Sequence, residues 1–141
     1  MTEARMPGSA HPHGAEPPPV DLTPYRGADT RRSVWQLCSS FALFALTWVL
    51  MYLLLDVSVL LTLALAVPAS FFLVRLFIIQ HDCGHGSFFR SSRTASIVGG
   101  ILGVFTLTPY GYWKKTHAMH HAGSGNLEHR GFGDIDTLTV A

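Results

Sequence analysis

A chain of 141 residues has the length of one domain, and its 48% hydrophobic content is ordinary, yet only 13% of it is charged, about half the usual share. The charges are nearly absent from a long central stretch, so the apolar residues collect into blocks, which points to a membrane protein rather than a soluble core. A formal net charge of +1 without an extended basic run gives no reason to expect nucleic acid as a partner, and two cysteines, Cys38 and Cys83, are too few for a disulfide framework.

Residues 1 to about 30 hold six of the eight prolines, Pro17, Pro18 and Pro19 among them. A segment of this composition buries too little surface to order itself, so the expectation is a disordered tail, with His11 and His13 as solvated tail residues. No apolar core follows Met1 closely, so the segment does not read as a secretory signal.

Val34 to Leu55 is 22 residues without a charge, and after Asp56 a further 18 uncharged residues run from Val57 to Val74. Each meets the roughly 17–25 residues needed to cross a bilayer. A hairpin with spanning helices at about 34–55 and 57–80 puts Asp56 at the far membrane surface, where its charge is solvated. Pro68 is expected to kink the second helix, which membrane helices tolerate. Arg26, Arg31 and Arg32 precede the first helix, and Arg75, Arg90 and Arg93 lie at or beyond the end of the second, with none in the turn. By the positive-inside rule both ends of the hairpin are then cytoplasmic, with Arg75 snorkelling towards the headgroups. Ile97 to Leu107 is too short to span and contains Gly99, Gly100 and Gly103. It reads as an interfacial helix closed by Pro109, with Tyr110, Tyr112 and Trp113 as aromatic anchors. The fold class expected is an all-α membrane protein, a spanning hairpin followed by interfacial and cytoplasmic helices.

Five of the eight histidines fall in two short clusters. The first is His81-Asp82-Cys83-Gly84-His85. If the second spanning helix continues through it, His81 and His85 are at i and i+4 and project from one face. The second is His117-Ala118-Met119-His120-His121, where i, i+3 and i+4 fan three imidazoles across one side. His120 and His121 stand about 100° apart around the axis and could reach different metal ions. Histidines four apart are weak evidence singly. Two such clusters on one membrane face make a strong case for metal, although neutral imidazole suits iron, zinc, copper and nickel alike. No HExxH is present, so the zinc-protease arrangement is absent. Asp82 could fix the tautomer of a ligand imidazole. Gly84 and Gly86 could allow a close backbone approach or end the helix. Lys114 and Lys115 could meet headgroup phosphates or simply be solvated. Residues 125–131 read as a loop carrying His129 on its surface, and Asp134 and Asp136 have no assigned role.

HDCGHGSF after a hydrophobic hairpin, followed by WKKTHAMHHAGSGNLEHRGFGDIDTLTV, resembles the membrane fatty acid desaturase superfamily, nearest to its acyl-lipid delta-12-type branch. The resemblance covers residues of about 31–141. It implies that His81, His85, His117, His120 and His121 are ligands to two iron ions, completed by a third, C-terminal HxxHH box, with no catalytic residue beyond the ligands. It also implies a cytoplasmic-side site at the mouth of an acyl tunnel. The reaction implied is introduction of a double bond into an acyl chain carried on lipid, CoA or a carrier protein. It uses O2 and two electrons from a ferredoxin or cytochrome b5-type donor, because cleaving an unactivated C–H bond is delegated to a metal cofactor. After His121 the only histidine is His129, so the third box is lacking. The expectation is an N-terminal part of such an enzyme with an incomplete iron site, inactive alone. Related di-iron hydroxylases of lipids, alkanes or carotenoids share such boxes, and a non-catalytic metal-binding membrane hairpin is the alternative of a different class.

Overall fold

The structure is a computed structural model that describes residues 27–124. Residues 1–26, on which the expectation of a disordered tail falls, and residues 125–141, with His129, Asp134 and Asp136, lie outside the described residues. Within them the chain is helical throughout: α1 Thr30–Leu54, α2 Val59–His85, α3 Ser92–Phe105 and α4 Tyr110–Gly123.

Helix boundaries follow local chemistry. The Asp29 carboxylate accepts from the Arg31 and Arg32 amides and starts α1 four residues before the uncharged run begins. Ser58 and Ser91 cap α2 and α3 in the same way, through the Leu61 and Thr94 amides. Between α1 and α2 a short turn leaves Asp56 exposed, as its charge at the hairpin tip requires. α2 runs on through Pro68 and past residue 80, ending only where Gly86 takes up the left-handed conformation, φ +71°. The first histidine cluster is therefore the last turn of this second helix.

Both α1 and α2 are long and apolar enough to cross a membrane. Their contact follows a seven-residue rhythm. Ser33, Ser40 and Thr47 are buried on α1, and Thr62, Ala69, Leu76 and Cys83 on α2. Mostly small side chains at this spacing let two antiparallel backbones approach closely along a shared seam. The rest of the hairpin surface, including Leu46, Val49, Leu53, Leu60, Val67 and Phe71, stays exposed. Such a surface is untenable in water but ordinary against lipid tails.

Arg75 reaches across the seam between the two helices. Its Nε donates to Ser40 Oγ at 2.7 Å, and that hydroxyl donates in turn to the Gln36 carbonyl at 2.6 Å. Side chains of a helix lean towards its N-terminus, which for α2 is away from the histidine end, and there the guanidinium meets the small seam residue Ser40.

The buried cluster lies towards the histidine end of the hairpin, where α3 packs on α2: Leu76, Ile79, Cys83, Phe88, Phe89, Ala95 and Leu102, flanked by Phe41 and Phe44 of α1. The Ser33 hydroxyl donates to the Phe88 carbonyl, and Arg90 Nε to the Ala28 carbonyl, tying the segment after α2 back onto the start of α1. α3 has 14 residues. At 1.5 Å per residue it reaches about 21 Å, short of a hydrocarbon core of about 30 Å.

α4 then leaves α3 at 106°. The bend is a Schellman motif: Thr108 N donates to Gly103 O at 2.8 Å and Leu107 N to Val104 O at 3.4 Å, with Leu107 left-handed at φ 54° where glycine is usual. Tyr110, the first residue of α4, lies against Gly99, where an added Cβ would stand 2.4 Å from the tyrosine ring. Gly99→Ala is accordingly expected to destabilise the α3–α4 corner by about 1–3 kcal/mol, the usual cost of overpacking. A lowered midpoint of thermal unfolding in detergent, against an unlowered one for Gly100→Ala, whose Cβ meets open space, checks this.

Candidate metal centre

The corner turns α4 back across the end of α2, and two histidine pairs meet there. His81 and His85 are one turn apart on α2, and His117 and His121 one turn apart on α4. Their Nε2 atoms converge: His81 to His85 is 3.2 Å, His81 to His117 is 3.0 Å, His85 to His117 is 3.1 Å, and His117 to His121 is 3.1 Å. Ligand atoms of all four lie within 4.8 Å of one another. His120, the fifth histidine of the sequence reading, is not in this group. Its ring centre stands 5.7 Å from that of His121 and 6.2 Å from that of His117.

These separations fit a cation. Two imidazole nitrogens each about 2.0–2.1 Å from one ion stand about 2.9 Å apart at a right angle and about 3.3 Å apart at the tetrahedral angle. The three separations within the His81–His85–His117 triangle and that from His117 to His121 fall in that interval. Hydrogen bonding alone is a poor account of the arrangement, because a neutral ring carries one N–H and three nitrogens in mutual contact cannot all be paired by such protons. Asp82 bears on the same point. Its Oδ1 lies 3.3 Å from His81 Nδ1 and, as a carboxylate oxygen, can only accept a hydrogen bond from N–H there, which favours the tautomer whose Nε2 lone pair faces the cluster. Burial, then the neighbouring imidazoles of His81, His121, His85 and His120, hold the His117 ring below the usual histidine range. The shift favours the neutral ring, the form that binds metal.

Trp113 packs inside this arrangement. Its indole stacks on His117 with ring centres 4.6 Å apart and planes 14° from parallel. It also lies 5.7 Å from the His81 ring and meets Phe77 edge-on. The expected trio of interface anchors is corrected: Tyr112 is exposed, while Tyr110 and Trp113 turn inward, because α4 folds back on α2 and α3. The two glycines divide the roles foreseen for them. Gly84 allows a close approach, since a Cβ there would sit 2.9 Å from Trp113 Cζ3, and Gly86 ends the helix. Lys114 reaches over the Tyr110 ring, 6.0 Å from its centre. The cluster is open on one side: His85 and His121 are exposed, His81 and His117 half-buried, and a cleft of about 340 Å³ runs beside them past Gly84, Trp113, Lys114 and Ala118. The part played by Trp113 was missed in the sequence, although its place four residues before His117 on one helix face was a usable signal.

Comparison with known proteins agrees with this geometry. The family model described as fatty acid desaturase matches residues 57–139. A fatty acid desaturase of Bacillus subtilis (strain 168) is 54% identical over 112 residues, 79% of this chain and 32% of that protein. An endoplasmic reticulum omega-3 fatty acid desaturase of Vigna radiata var. radiata is 49% identical over 53 residues, 38% of this chain and 14% of the other. An sn-2 acyl-lipid omega-3 desaturase (ferredoxin), chloroplastic, of Helianthus annuus is 43% identical over 53 residues, 38% of this chain and 12% of that protein. The chain thus spans about a third of the length of the bacterial relative, and no solved structure matches it. With a family match covering more than half of its residues, the stretch that holds both histidine clusters included, this chain belongs to the fatty acid desaturase family.

Proposed function

We propose that this chain supplies the first two histidine boxes of a membrane di-iron desaturase, which introduces a double bond into an acyl chain using O2 and two electrons from an external donor. The observation that carries the reading is the convergence of the four Nε2 atoms from two separate helices. His81, His85, His117 and His121 would hold one iron, and His120, on the neighbouring face of α4, is assigned to a second. When bound, the irons supply the oxidising chemistry that an unactivated methylene demands and that no side chain here can provide.

The remaining tasks belong to the protein. Asp82 sets the His81 tautomer. Trp113 and the α3–α4 corner hold α4 against α2. An apolar groove of about 380 Å³ between α1 and α3, lined by Leu37, Phe41, Ala42, Val98, Ile101 and Leu102, offers a wall for an acyl chain. Position, rather than acid–base chemistry, is what such residues contribute. The names of the relatives support an acyl-lipid substrate, and one of them names ferredoxin. A ferredoxin or cytochrome b5-type donor is the partner assigned here. The functional test is fatty acid analysis in a host without its own desaturase, expressing this chain joined to the part of the bacterial relative that follows the matched stretch. New double bonds support the reading, and a hydroxylated product in their place points to the related hydroxylases.

The same reading puts the histidines on the cytoplasmic side of the membrane. Lys115→Cys in a Cys38→Ser background is expected to react with an impermeant thiol reagent only from the cytoplasmic face, and Asp56→Cys only from the opposite one. Labelling of position 115 from outside would reverse the topology.

A further inference from the structure

Trp113 has no role in the reading above beyond holding two helices together, yet its contacts single out one ligand. His117 is the hub of the cluster, its Nε2 being 3.0–3.1 Å from those of His81, His85 and His121. An imidazole binds a cation in the plane of its ring, so rotation about the ring's own torsion decides where its lone pair points. That torsion is broad and roughly two-fold when left to itself. The indole, 14° from parallel at 4.6 Å, closes off that rotation on one face of the ring. The indole is seated in turn by α2: Gly84 leaves the space it occupies, and Phe77 meets it edge-on at 5.7 Å. A π face beside an imidazole that takes on positive charge as it binds a cation adds a favourable electrostatic contact.

We propose that Trp113, seated over Gly84, is a positioning residue for the metal centre. It sets the ring plane of His117 and so the coordination geometry of the whole cluster. The inference rests on the metal-centre reading and deepens it. It also accounts for a glycine as the penultimate residue of α2, next to His85, where a larger residue would otherwise serve.

Co²⁺ alone is the probe, because its d–d absorption reports coordination geometry. The 141-residue chain in detergent, wild type and as Trp113→Leu, Trp113→Phe and Gly84→Ala, is titrated with Co²⁺, with Trp35→Phe, an exposed tryptophan on α1, as a control. Trp113→Leu and Gly84→Ala are expected to weaken Co²⁺ binding about 10–100-fold, the usual loss when an outer partner of a metal ligand is removed. They should also shift the d–d spectrum at saturation, while Trp113→Phe restores most of both and Trp35→Phe changes neither. Far-ultraviolet circular dichroism identifies a variant that has lost its helices; for such a variant Trp113→Phe, which keeps an aromatic face, decides the question by its affinity and spectrum. Wild-type affinity and an unshifted spectrum in Trp113→Leu and Gly84→Ala overturn the inference while leaving the metal centre standing. Weaker binding with an unshifted spectrum at saturation also overturns it, since this is the mark of a merely structural role. A wild-type chain that binds no Co²⁺ overturns the metal-centre reading itself, and the inference with it.

Discussion

His117→Ala is expected to weaken metal binding by more than about 100-fold, beyond the 10–100-fold that loss of an outer partner costs. The reason is the position of the ring. His117 is the one histidine of the cluster with Nε2 at 3.0–3.1 Å from those of three others, and it provides the short Nε2 separation that ties His121 to the α2 pair. His85→Ala should follow closely, since its Nε2 closes the triangle with His81 and His117. His120→Ala is expected to behave differently in this chain, because its ring stands outside the converging group. It should leave the first ion bound and, in a protein completed with a third box, still abolish turnover through loss of the second. Metal titration of the three variants, with insertion into membranes compared by fractionation, checks the ordering. Equal affinity in His117→Ala and wild type would remove the basis for a shared centre.

The second large effect is on activity. Expressed by themselves, residues 1–141 are expected to make no unsaturated fatty acid in a host lacking its own desaturase. Two octahedral irons present about ten to twelve coordination positions, and these boxes offer five imidazoles. The chain also spans about a third of the length of its bacterial relative, and under the proposed function the groove between α1 and α3 is too open to hold an acyl chain against the irons by itself. Robust new double bonds from these residues alone, with no partner fragment present, would show this accounting to be wrong.

Much of the fold could be read from apolar run lengths. The hairpin, the exposed Asp56 at its tip and the short third helix all follow from where charges interrupt hydrophobic residues. The ends of the helices were harder, because caps decide them: Asp29 carries α1 back to Thr30, and the absence of any break before Gly86 carries α2 through both histidines of the first cluster. Spacing alone identified the pairs His81–His85 and His117–His121, since i and i+4 share a helix face whatever the tertiary structure. Which of His120 and His121 turns towards α2 depends on the 106° corner, a tertiary angle set by Leu107 and by Tyr110 seated on Gly99, and no local pattern encodes it. Trp113 was misread for the same reason. An aromatic residue beside an apolar run looks like an interface anchor until the chain is seen to double back. The seam of Ser33, Ser40 and Thr47 was open to inspection as a seven-residue rhythm, but its hydroxyls are hidden among larger apolar residues that carry the hydropathy signal.

The most direct test of the convergent four-histidine centre is X-ray absorption at the iron edge of the purified chain, loaded anaerobically with Fe²⁺ and desalted. The account predicts retained iron whose outer-shell scattering requires three to four imidazoles, with nitrogen at about 2.0–2.2 Å, reduced by one in His121→Ala. Iron lost on desalting, or iron surrounded by oxygen with no imidazole signature, would contradict it.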